Sequence, residues 1–208
     1  MESTADKPGF SPELWRAQGA YQTLLGHQIF CMDSGGNQSP NAQQPSLLLL
    51  HGFPTSSWDW LPIWYDLVKD YRVIALDMLG FGFSDKPNNR NYSIHGQADI
   101  VEALVASKRL ESFHVLAHDY GDTVAQELLA RQLDGSGCGK WLSCCFLNGG
   151  LFPETHRALL TQKLLLSPIG ELLNFFTGYA QFSRNFSSVF GADTQPSEQE
   201  LQDFWWLI

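Results

Sequence analysis

The sequence is poor in charged residues, and its net charge has the wrong sign for binding nucleic acid. Charged residues make up 17% of the 208, and 13 Lys and Arg stand against 22 Asp and Glu, a formal net charge of -9. Because a phosphate backbone is bound by clustered positive charge, we expect no nucleic-acid partner. With 44% hydrophobic residues the chain can bury a sizeable core, which predicts a globular domain and not a disordered one.

Long apolar runs are also missing. No apolar run approaches the length that crosses a bilayer, and residues 1–9 are polar without the apolar core of a signal peptide.

The cysteines form no Cys-x-x-Cys pair, and the adjacent Cys144 and Cys145 cannot easily form an ordinary disulfide. We therefore expect free thiols in a reducing, cytoplasmic setting.

The chain alternates between two kinds of segment from residue 46 onward. Strand-length apolar runs lie at 46–50, 72–76, 113–117 and 141–147, and stretches with helical spacing lie between them at 60–69, 94–107 and 121–133. This alternation predicts an α/β fold, a mainly parallel sheet with helices on both faces, over residues 1–150. Two further short strands, at 21–25 and 28–32, are predicted to form a hairpin around Gly26 and His27.

The pattern changes at residue 151. Leucine and phenylalanine repeat at helical spacing between 159 and 176 with no strand between them, which predicts a helical insertion over 151–208. The chain then stops on the apolar cluster 204–208 without a helix-ending residue. Such a cluster requires a partner to bury it, so we expect the sequence to end inside this element.

The most informative segment is Ala117-His118-Asp119-Tyr120-Gly121, where an apolar strand runs into a helical stretch. Small residues two positions before and after a central residue are typical of the sharp strand-to-helix turn called the nucleophile elbow, here with Asp in place of Ser. The helix N-terminus favours an anionic carboxylate, and the Tyr120 amide is free to act as an oxyanion donor. Alternatively, Asp119 only caps the helix that follows, a common role for Asp.

Two further loops, each following a predicted strand, favour the elbow interpretation. The sequence His-Gly-Phe-Pro at 51–54 comes directly after the strand at 46–50, and Asp-x-x-Gly-x-Gly-x-Ser at 77–84 comes after the strand at 72–76. The Gly-x-Gly of the second loop does not predict dinucleotide binding. Asp85 stands where the third glycine of that fingerprint is required, and no helix is predicted to open there.

Three motifs in this order, each after its own strand, resemble the α/β-hydrolase-fold superfamily, and within it the epoxide hydrolase and haloalkane dehalogenase relatives. The resemblance extends from about residue 21 to the end, and it implies an incomplete hydrolase core at 1–150 followed by part of a helical cap. It also implies that the backbone amide of Phe53 is an oxyanion donor together with that of Tyr120. Haloalkane dehalogenases have Asn and Trp at these two positions to hold the halide, so the resemblance favours epoxide-like substrates.

The chemistry that the resemblance implies begins at Asp119. Its carboxylate would attack an electrophilic carbon to form an alkyl-enzyme ester, which activated water then hydrolyses. A small-molecule substrate is implied and no cofactor. The residues expected near the substrate are His51, Gly52, Pro54, Trp58 and His118, with Tyr179 as the only tyrosine of the cap-like part.

The rest of a catalytic triad is not assigned. The superfamily places its acid and its general-base histidine after later strands, beyond the cap, and this sequence stops before that point. His114 and His118 are spaced i,i+4, but they fall on a predicted strand and turn and lack the Glu of a zinc motif, so no metal is expected. We expect residues 1–208 to form an ester at Asp119 without turnover.

Three hypotheses remain open from the sequence. The first is a hydrolase of which this chain is an incomplete form. The second is a non-catalytic binding module whose apolar cap engages a protein partner or a membrane, and the resemblance allows the endoplasmic reticulum membrane as an alternative location. The third is a chain that does not fold stably, because strands absent from it would leave a sheet edge uncovered.

Overall fold

The computed structural model describes residues 11–35, 44–88, 92–150 and 178–208. The strands are β1 Ala20–Leu24, β2 His27–Asp33, β3 Ser46–Leu50, β4 Arg72–Leu76, β5 Ser112–His118 and β6 Lys140–Leu147. The helices are α1 Pro12–Gln18, α2 Leu61–Leu67, α3 Ile94–Ser107, α4 Tyr120–Leu133, α5 Tyr179–Ser187 and α6 Glu198–Leu207, with a short 3₁₀ helix at Ser57–Trp60 before α2.

The six strands form one mixed sheet in the order β1-β2-β4-β3-β5-β6. β3 is parallel to β4 and β5, and β5 is parallel to β6, whereas β2 pairs antiparallel with β1 and β4. A helix follows each of β3, β4 and β5, as crossovers between parallel strands require. The prediction of a mainly parallel sheet is confirmed.

Both faces of the central strands are covered. All residues at 47–50 in β3 and at 73–76 in β4 are buried, as expected of strands that contact helices on both sides. On one face, α3 and α4 contribute side chains to a single apolar cluster with the sheet. α1 and α2 contribute no residue to that cluster and pack on each other, where the rings of Trp15 and Trp64 meet edge-on at 5.0 Å. The burial of these strands therefore explains why their sequences are almost wholly apolar.

The turn of the β1–β2 hairpin lies one residue earlier than predicted. The strands pair Leu24 with His27, so the two turn residues are Leu25 and Gly26, with φ of 50° and 85°. Positive φ at both positions is the geometry that matches the twist of a two-residue hairpin. The prediction that Gly26 and His27 form the turn was wrong by one residue. Glycine occupies the second turn position, and the first is a leucine, a residue type that does not indicate a turn.

The described residues fall into two compact units, separated in the sequence near residue 151. In the second unit, α6 begins with a capping box: the Ser197 hydroxyl accepts the Glu200 N–H at 3.2 Å, and the Glu200 carboxylate accepts the Ser197 N–H at 2.7 Å. The ring of Phe182 stacks on Phe186 at 5.1 Å and meets Trp205 at 5.3 Å. Aromatic packing therefore joins α5 to α6.

The apolar positions 159–176, predicted to be helical, lie outside the described residues. Among the helices that the structure describes, none combines the length and the apolar character needed to span a membrane.

Candidate active site

Asp119 lies on a sharp turn between β5 and α4, with φ of 51° and ψ of -112°, a backbone conformation that non-glycine residues rarely adopt. Its N–H donates to the Leu147 carbonyl at 3.0 Å, which ties the turn to the end of β6. A Cβ on Gly121 would lie 2.4 Å from the carbonyl oxygen of Leu50, so only glycine permits this approach of α4 to β3. The elbow pattern thus requires a small residue at this position for a steric reason.

The carboxylate of Asp119 does not cap α4. Asp119 occupies the N-cap position, but its side chain accepts no hydrogen bond from the first turn of the helix. Instead, Oδ1 accepts the Phe53 N–H at 2.8 Å from a loop 66 positions earlier in the sequence. The alternative that Asp119 serves only as a helix cap is therefore wrong.

The loop after β3 is held in place by His51, whose side chain is fully buried. Its Nε2 accepts the Met78 N–H at 2.9 Å, and its Nδ1 lies 2.8 Å from the Gly52 carbonyl, to which it donates as the neutral tautomer. Burial lowers the pKa of His51 to about 4, consistent with a neutral ring. Both nitrogens are thus engaged in orienting the loop that carries Phe53, and a direct contact between His51 and substrate stays a prediction.

Gly52 brings this loop against the elbow. A Cβ at that position would lie 2.9 Å from the Cβ of Asp119 and 2.9 Å from Nδ1 of His118. A side chain there would push the two loops apart, so the glycine is needed for the hydrogen bond between the Phe53 amide and Asp119. Gly52 therefore contributes to the site by its backbone and by the absence of a side chain.

The loop after β4 is organised around the buried carboxylate of Asp77. Its Oδ1 accepts the Ser57 N–H at 2.8 Å and its Oδ2 accepts the Phe83 N–H at 2.7 Å, so it joins two loops. Burial raises the pKa of Asp77 to about 6. A Cβ on Gly82 would lie 2.2 Å from Oδ2, which gives this glycine a packing role. No helix opens within 77–88, all of which is described, so the loop is not a dinucleotide fingerprint.

An aromatic row lies beside Asp119, and sequence reasoning missed its central member. The ring of Phe81 lies 6.1 Å from the ring of Phe53 and 5.7 Å from that of Tyr120. Phe53 is 68% exposed, an unusual exposure for a ring of that size. The only signal for Phe81 was its place inside the glycine loop. These partly exposed rings give the surface beside the Asp119 carboxylate an apolar character.

The second predicted oxyanion donor is the amide of Tyr120. Tyr120 is the first residue of α4, so its N–H has no acceptor within the helix. The amide therefore belongs to the group of helix N-terminal donors that can bind an anion. Its role as an oxyanion donor stays a prediction.

The other predicted site residues of the first unit differ in exposure. Pro54 is half-buried and continues the loop from Phe53 through a cis peptide bond. The half-buried His118 precedes Asp119, and its ring meets the ring of Trp60 at 6.5 Å. Trp58 is buried, with 6% of its surface exposed. The structure brings Pro54 and His118 next to the Asp119 loops, and substrate contacts by all three residues remain predictions.

Tyr179, the predicted residue of the cap, belongs to the second unit. Its hydroxyl donates to Oε1 of Glu198 at 2.7 Å. This hydrogen bond to the carboxylate raises the pKa of the Tyr179 hydroxyl, which makes it a weaker proton donor. A role of Tyr179 in protonating a substrate stays a prediction.

Two carboxyl groups near the elbow have a raised pKa and were also missed by sequence reasoning. Burial raises the pKa of Asp59 to about 7 and that of Asp122 to about 6. Asp59 accepts a hydrogen bond from the Thr55 hydroxyl, and Asp122 accepts the Leu147 N–H at 3.4 Å. Neither belongs to a motif, so their burial was the missing information. Within the part of the chain that is described, no His, Cys, Asp and Glu side chains gather into a metal site.

The family model described as alpha/beta hydrolase fold matches residues 45–188, more than half of the chain. The chain belongs to the α/β-hydrolase fold family. The Bos taurus mesoderm-specific transcript homolog protein is 53% identical over 211 residues, covering 95% of this hydrolase-fold chain and 61% of its own length. The putative hydrolase LipZ of Mycobacterium tuberculosis is 35% identical, covering 93% of this chain and 65% of its own length. The chain therefore spans less than two thirds of either relative.

Solved structures share the fold of this chain. An alpha/beta hydrolase fold protein from Burkholderia ambifaria superimposes with a TM-score of 0.72 at 25% identity, over 90% of this chain and 65% of that protein. The epoxide hydrolase CorEH superimposes with a TM-score of 0.68 at 20% identity, over 91% of this chain and 67% of that protein. The second likeness shows the fold alone. The resemblance that the three motifs predicted is confirmed at the level of the family.

Proposed function

We propose that this α/β hydrolase acts on small, uncharged electrophiles of the epoxide class through Asp119. The observation that carries the proposal is the hydrogen bond of 2.8 Å from the Phe53 amide to Oδ1 of Asp119. It holds one carboxylate oxygen and leaves Oδ2 for attack. A serine at this position would instead favour ester substrates.

The proposed reaction begins when Oδ2 of Asp119 attacks an epoxide carbon. A carbon–oxygen ester bond forms, the carbon–oxygen bond of the epoxide breaks, and the released alkoxide takes a proton from solvent. Water then attacks the ester carbonyl, and the amides of Phe53 and Tyr120 stabilise the oxyanion of the tetrahedral intermediate. The exposed aromatic ring of Phe53 and its neighbour Phe81 favour an apolar substituent on the substrate.

The second step requires a base that activates water, and we assign none among the described histidines. Both nitrogens of His51 are engaged in the loop, His95 pairs with Glu127 at 3.0 Å, and Nδ1 of His114 lies 2.7 Å from the Ser143 hydroxyl. We therefore propose that residues 1–208 form the ester but do not release product repeatedly.

The test is mass addition to Asp119 after incubation of the 1–208 chain with styrene oxide. We expect one adduct on the peptide that contains Asp119, none in Asp119→Asn, and an unchanged adduct in the matched control Asp134→Asn, an exposed residue at the end of α4. Diol should stay below one equivalent per chain. Continued diol release that Asp119→Ala abolishes would show that another group supplies the base.

A second candidate function is a binding module that uses the apolar residues of the second unit. Val189 is 76% exposed and Trp206 is 51% exposed, next to the aromatic cluster of α5 and α6. Exposed aromatic and aliphatic side chains of this kind favour a protein partner or a membrane surface. Absence of any adduct on Asp119, together with flotation of the chain on phosphatidylcholine vesicles that Trp206→Ala reduces, would favour this function over the hydrolase.

A further inference from the structure

Asp59 lies in the 3₁₀ helix directly after the loop that carries Phe53, and the proposed reaction does not use it. Its Oδ2 accepts a hydrogen bond from the Thr55 hydroxyl, and its carboxylate also interacts with the backbone of Gly52. The Thr55 hydroxyl lies 3.5 Å from the Gly52 carbonyl. A hydroxyl has one proton to donate, and that of Thr55 goes to Asp59, so Asp59 interacts with the loop at Gly52 and at Thr55, on both sides of Phe53.

Gly52 links this pair of side chains to Asp119. It immediately precedes Phe53, whose N–H donates to Oδ1 of Asp119 at 2.8 Å, and it approaches the elbow so closely that a Cβ would lie 2.9 Å from the Cβ of Asp119. A small shift of Gly52 would therefore turn the Phe53 amide away from the carboxylate. Catalytic geometry of this kind is sensitive to displacements of about 1 Å.

We propose that Asp59 is a positioning residue for the chemistry of Asp119, acting with Thr55 through Gly52 on the Phe53 amide. The inference rests on the proposed role of Asp119 as nucleophile. Asp59 does not touch the reacting atoms, so it acts by fixing the loop. A hydrogen bond to a charged acceptor is stronger than one to a neutral acceptor, so the loop is held most firmly when Asp59 is ionised.

The charges around Asp59 make this effect depend on pH. Burial is the main cause that raises its pKa to about 7, and the nearby carboxylates of Asp77 and Asp119 raise it further. Further ionisable groups act on the neighbours of Asp59: His51 and His118 lie beside Gly52, Lys86 interacts with Asp77, and Asp122 interacts with Asp119. As pH rises through about 7, Asp59 becomes charged, its hydrogen bond from Thr55 and its interaction with the Gly52 backbone strengthen, and its repulsion on Asp119 grows. Alkylation moves the charge of Asp119 onto the leaving group, so both changes favour the reaction.

The test follows alkylation of Asp119 by 1-iodobutane, because iodide leaves with the bonding electron pair and requires no proton. We expect the alkylation rate of Asp119 in the unmodified chain to rise about threefold between about pH 6 and about pH 8. An increase of this size corresponds to a modest change in the electrostatic interaction between Asp59 and Asp119. Asp59→Asn should lack this rise and react about tenfold more slowly at the higher pH, as expected for the loss of one charged hydrogen bond. Asp66→Asn, an exposed aspartate on α2, is the matched control and should behave as the unmodified chain.

A second pair of variants covers the case in which Asp59→Asn does not fold. Thr55→Ser keeps the hydroxyl and should keep the rate, whereas Thr55→Val removes it and should slow alkylation of Asp119. The exposed thiol of Cys145 is alkylated in the same sample, and its rate at the same pH serves as an internal reference for the reactivity of 1-iodobutane. A pH profile that is the same in Asp59→Asn and in the unmodified chain, or equal rates in the two Thr55 variants, would overturn the inference.

Hydrogen exchange of the Phe53 amide separates this inference from the proposed function. We expect exchange at Phe53 to be faster in Asp59→Asn than in Asp66→Asn, because the loop is less firmly held. If the unmodified chain forms no ester at Asp119, the proposed nucleophile is wrong, and the exchange rate still decides whether Asp59 positions the loop. Unchanged exchange at Phe53 would overturn the positioning role even if the ester forms.

Discussion

Around Asp119, hydrogen bonds join residues that are far apart in the sequence, whereas in the second unit most of them join residues within one helical turn. The Phe53 amide reaches Asp119 across 66 positions, and the Met78 amide reaches His51 across 27. In α6, by contrast, Ser197 and Glu200 are three positions apart. The site therefore depends on the whole sheet being folded, whereas α5 and α6 depend on local capping and on a few aromatic contacts.

This comparison predicts that a single methyl group at the elbow has a large effect on the stability of the first unit. Gly121→Ala places a Cβ 2.4 Å from the Leu50 carbonyl oxygen and 2.7 Å from that of His51, so the backbone must move. We expect a loss of about 3 kcal/mol in the free energy of unfolding, measured by urea denaturation. Gly150→Ala, where a Cβ meets nothing within 4 Å, is the matched control and should be close to neutral. Equal stability of the two variants would contradict the steric account of the elbow.

Much of this first unit could be predicted because local sequence and tertiary structure agree there. The strands at 46–50 and 72–76 and the helix at 94–107 begin and end where predicted, since each is bounded by a clear change from apolar to polar or turn residues. The elbow and the two loops were found because their glycines have steric causes that fix their spacing. The same causes produce the hydrogen bond between Phe53 and Asp119.

Asp59 and Phe81 could not be predicted as parts of the site, for a physical reason. The raised pKa of Asp59 comes from burial and from Asp77, which is 18 positions away, and the place of Phe81 comes from contacts with loops on both sides in sequence. A periodic pattern reports which face of an element is apolar, but it does not report which loops meet at the end of a sheet. Residues whose role depends on contacts between such loops can be identified only from the folded structure.

In the second unit, the largest expected effect comes from its aromatic packing. Phe182 is 9% exposed and contacts the rings of Phe186 and Trp205. Phe182→Ala should destabilise the packing of α5 with α6 by about 3 kcal/mol, the usual cost of removing a buried phenylalanine ring. The loss should appear in hydrogen exchange of the α5 and α6 amides. Val189→Ala, at a position 76% exposed, should have no such effect, and similar exchange in the two variants would show that these rings do not hold the helices.

The two regions should also differ in their response to pH. In the first unit, the pKa values of Asp59, Asp77 and Asp122 are raised to about 7, 6 and 6. Between about pH 4 and these values the folded state binds more protons than the unfolded state, so the free energy of unfolding falls as pH rises. His51, with its pKa lowered to about 4, acts in the opposite direction below about pH 6.5 and offsets part of this fall.

We expect a net loss on the order of 3 kcal/mol in the stability of the first unit between about pH 5 and about pH 7, measured by urea denaturation. Asp59→Asn should reduce this loss because one of the three contributing groups is removed. In the second unit the exposed Glu198 has a lowered pKa, so its charge changes only below this range. An identical pH dependence in Asp59→Asn would contradict the assignment of the effect to the buried carboxyl.

The smallest predicted effect is also the most local. Ser197→Ala removes the hydroxyl that accepts the Glu200 N–H, and the usual cost of losing such an N-cap is about 1 kcal/mol. Because the capping box connects residues within a single turn, exchange should become faster at the first amides of α6, while the Phe53 amide should exchange as before. Ser188→Ala, a matched change of an exposed serine at the end of α5, should leave the start of α6 unaffected. If Ser197→Ala also accelerates exchange at Phe53, the two regions are coupled, and the contrast between long-range and local stabilisation does not hold.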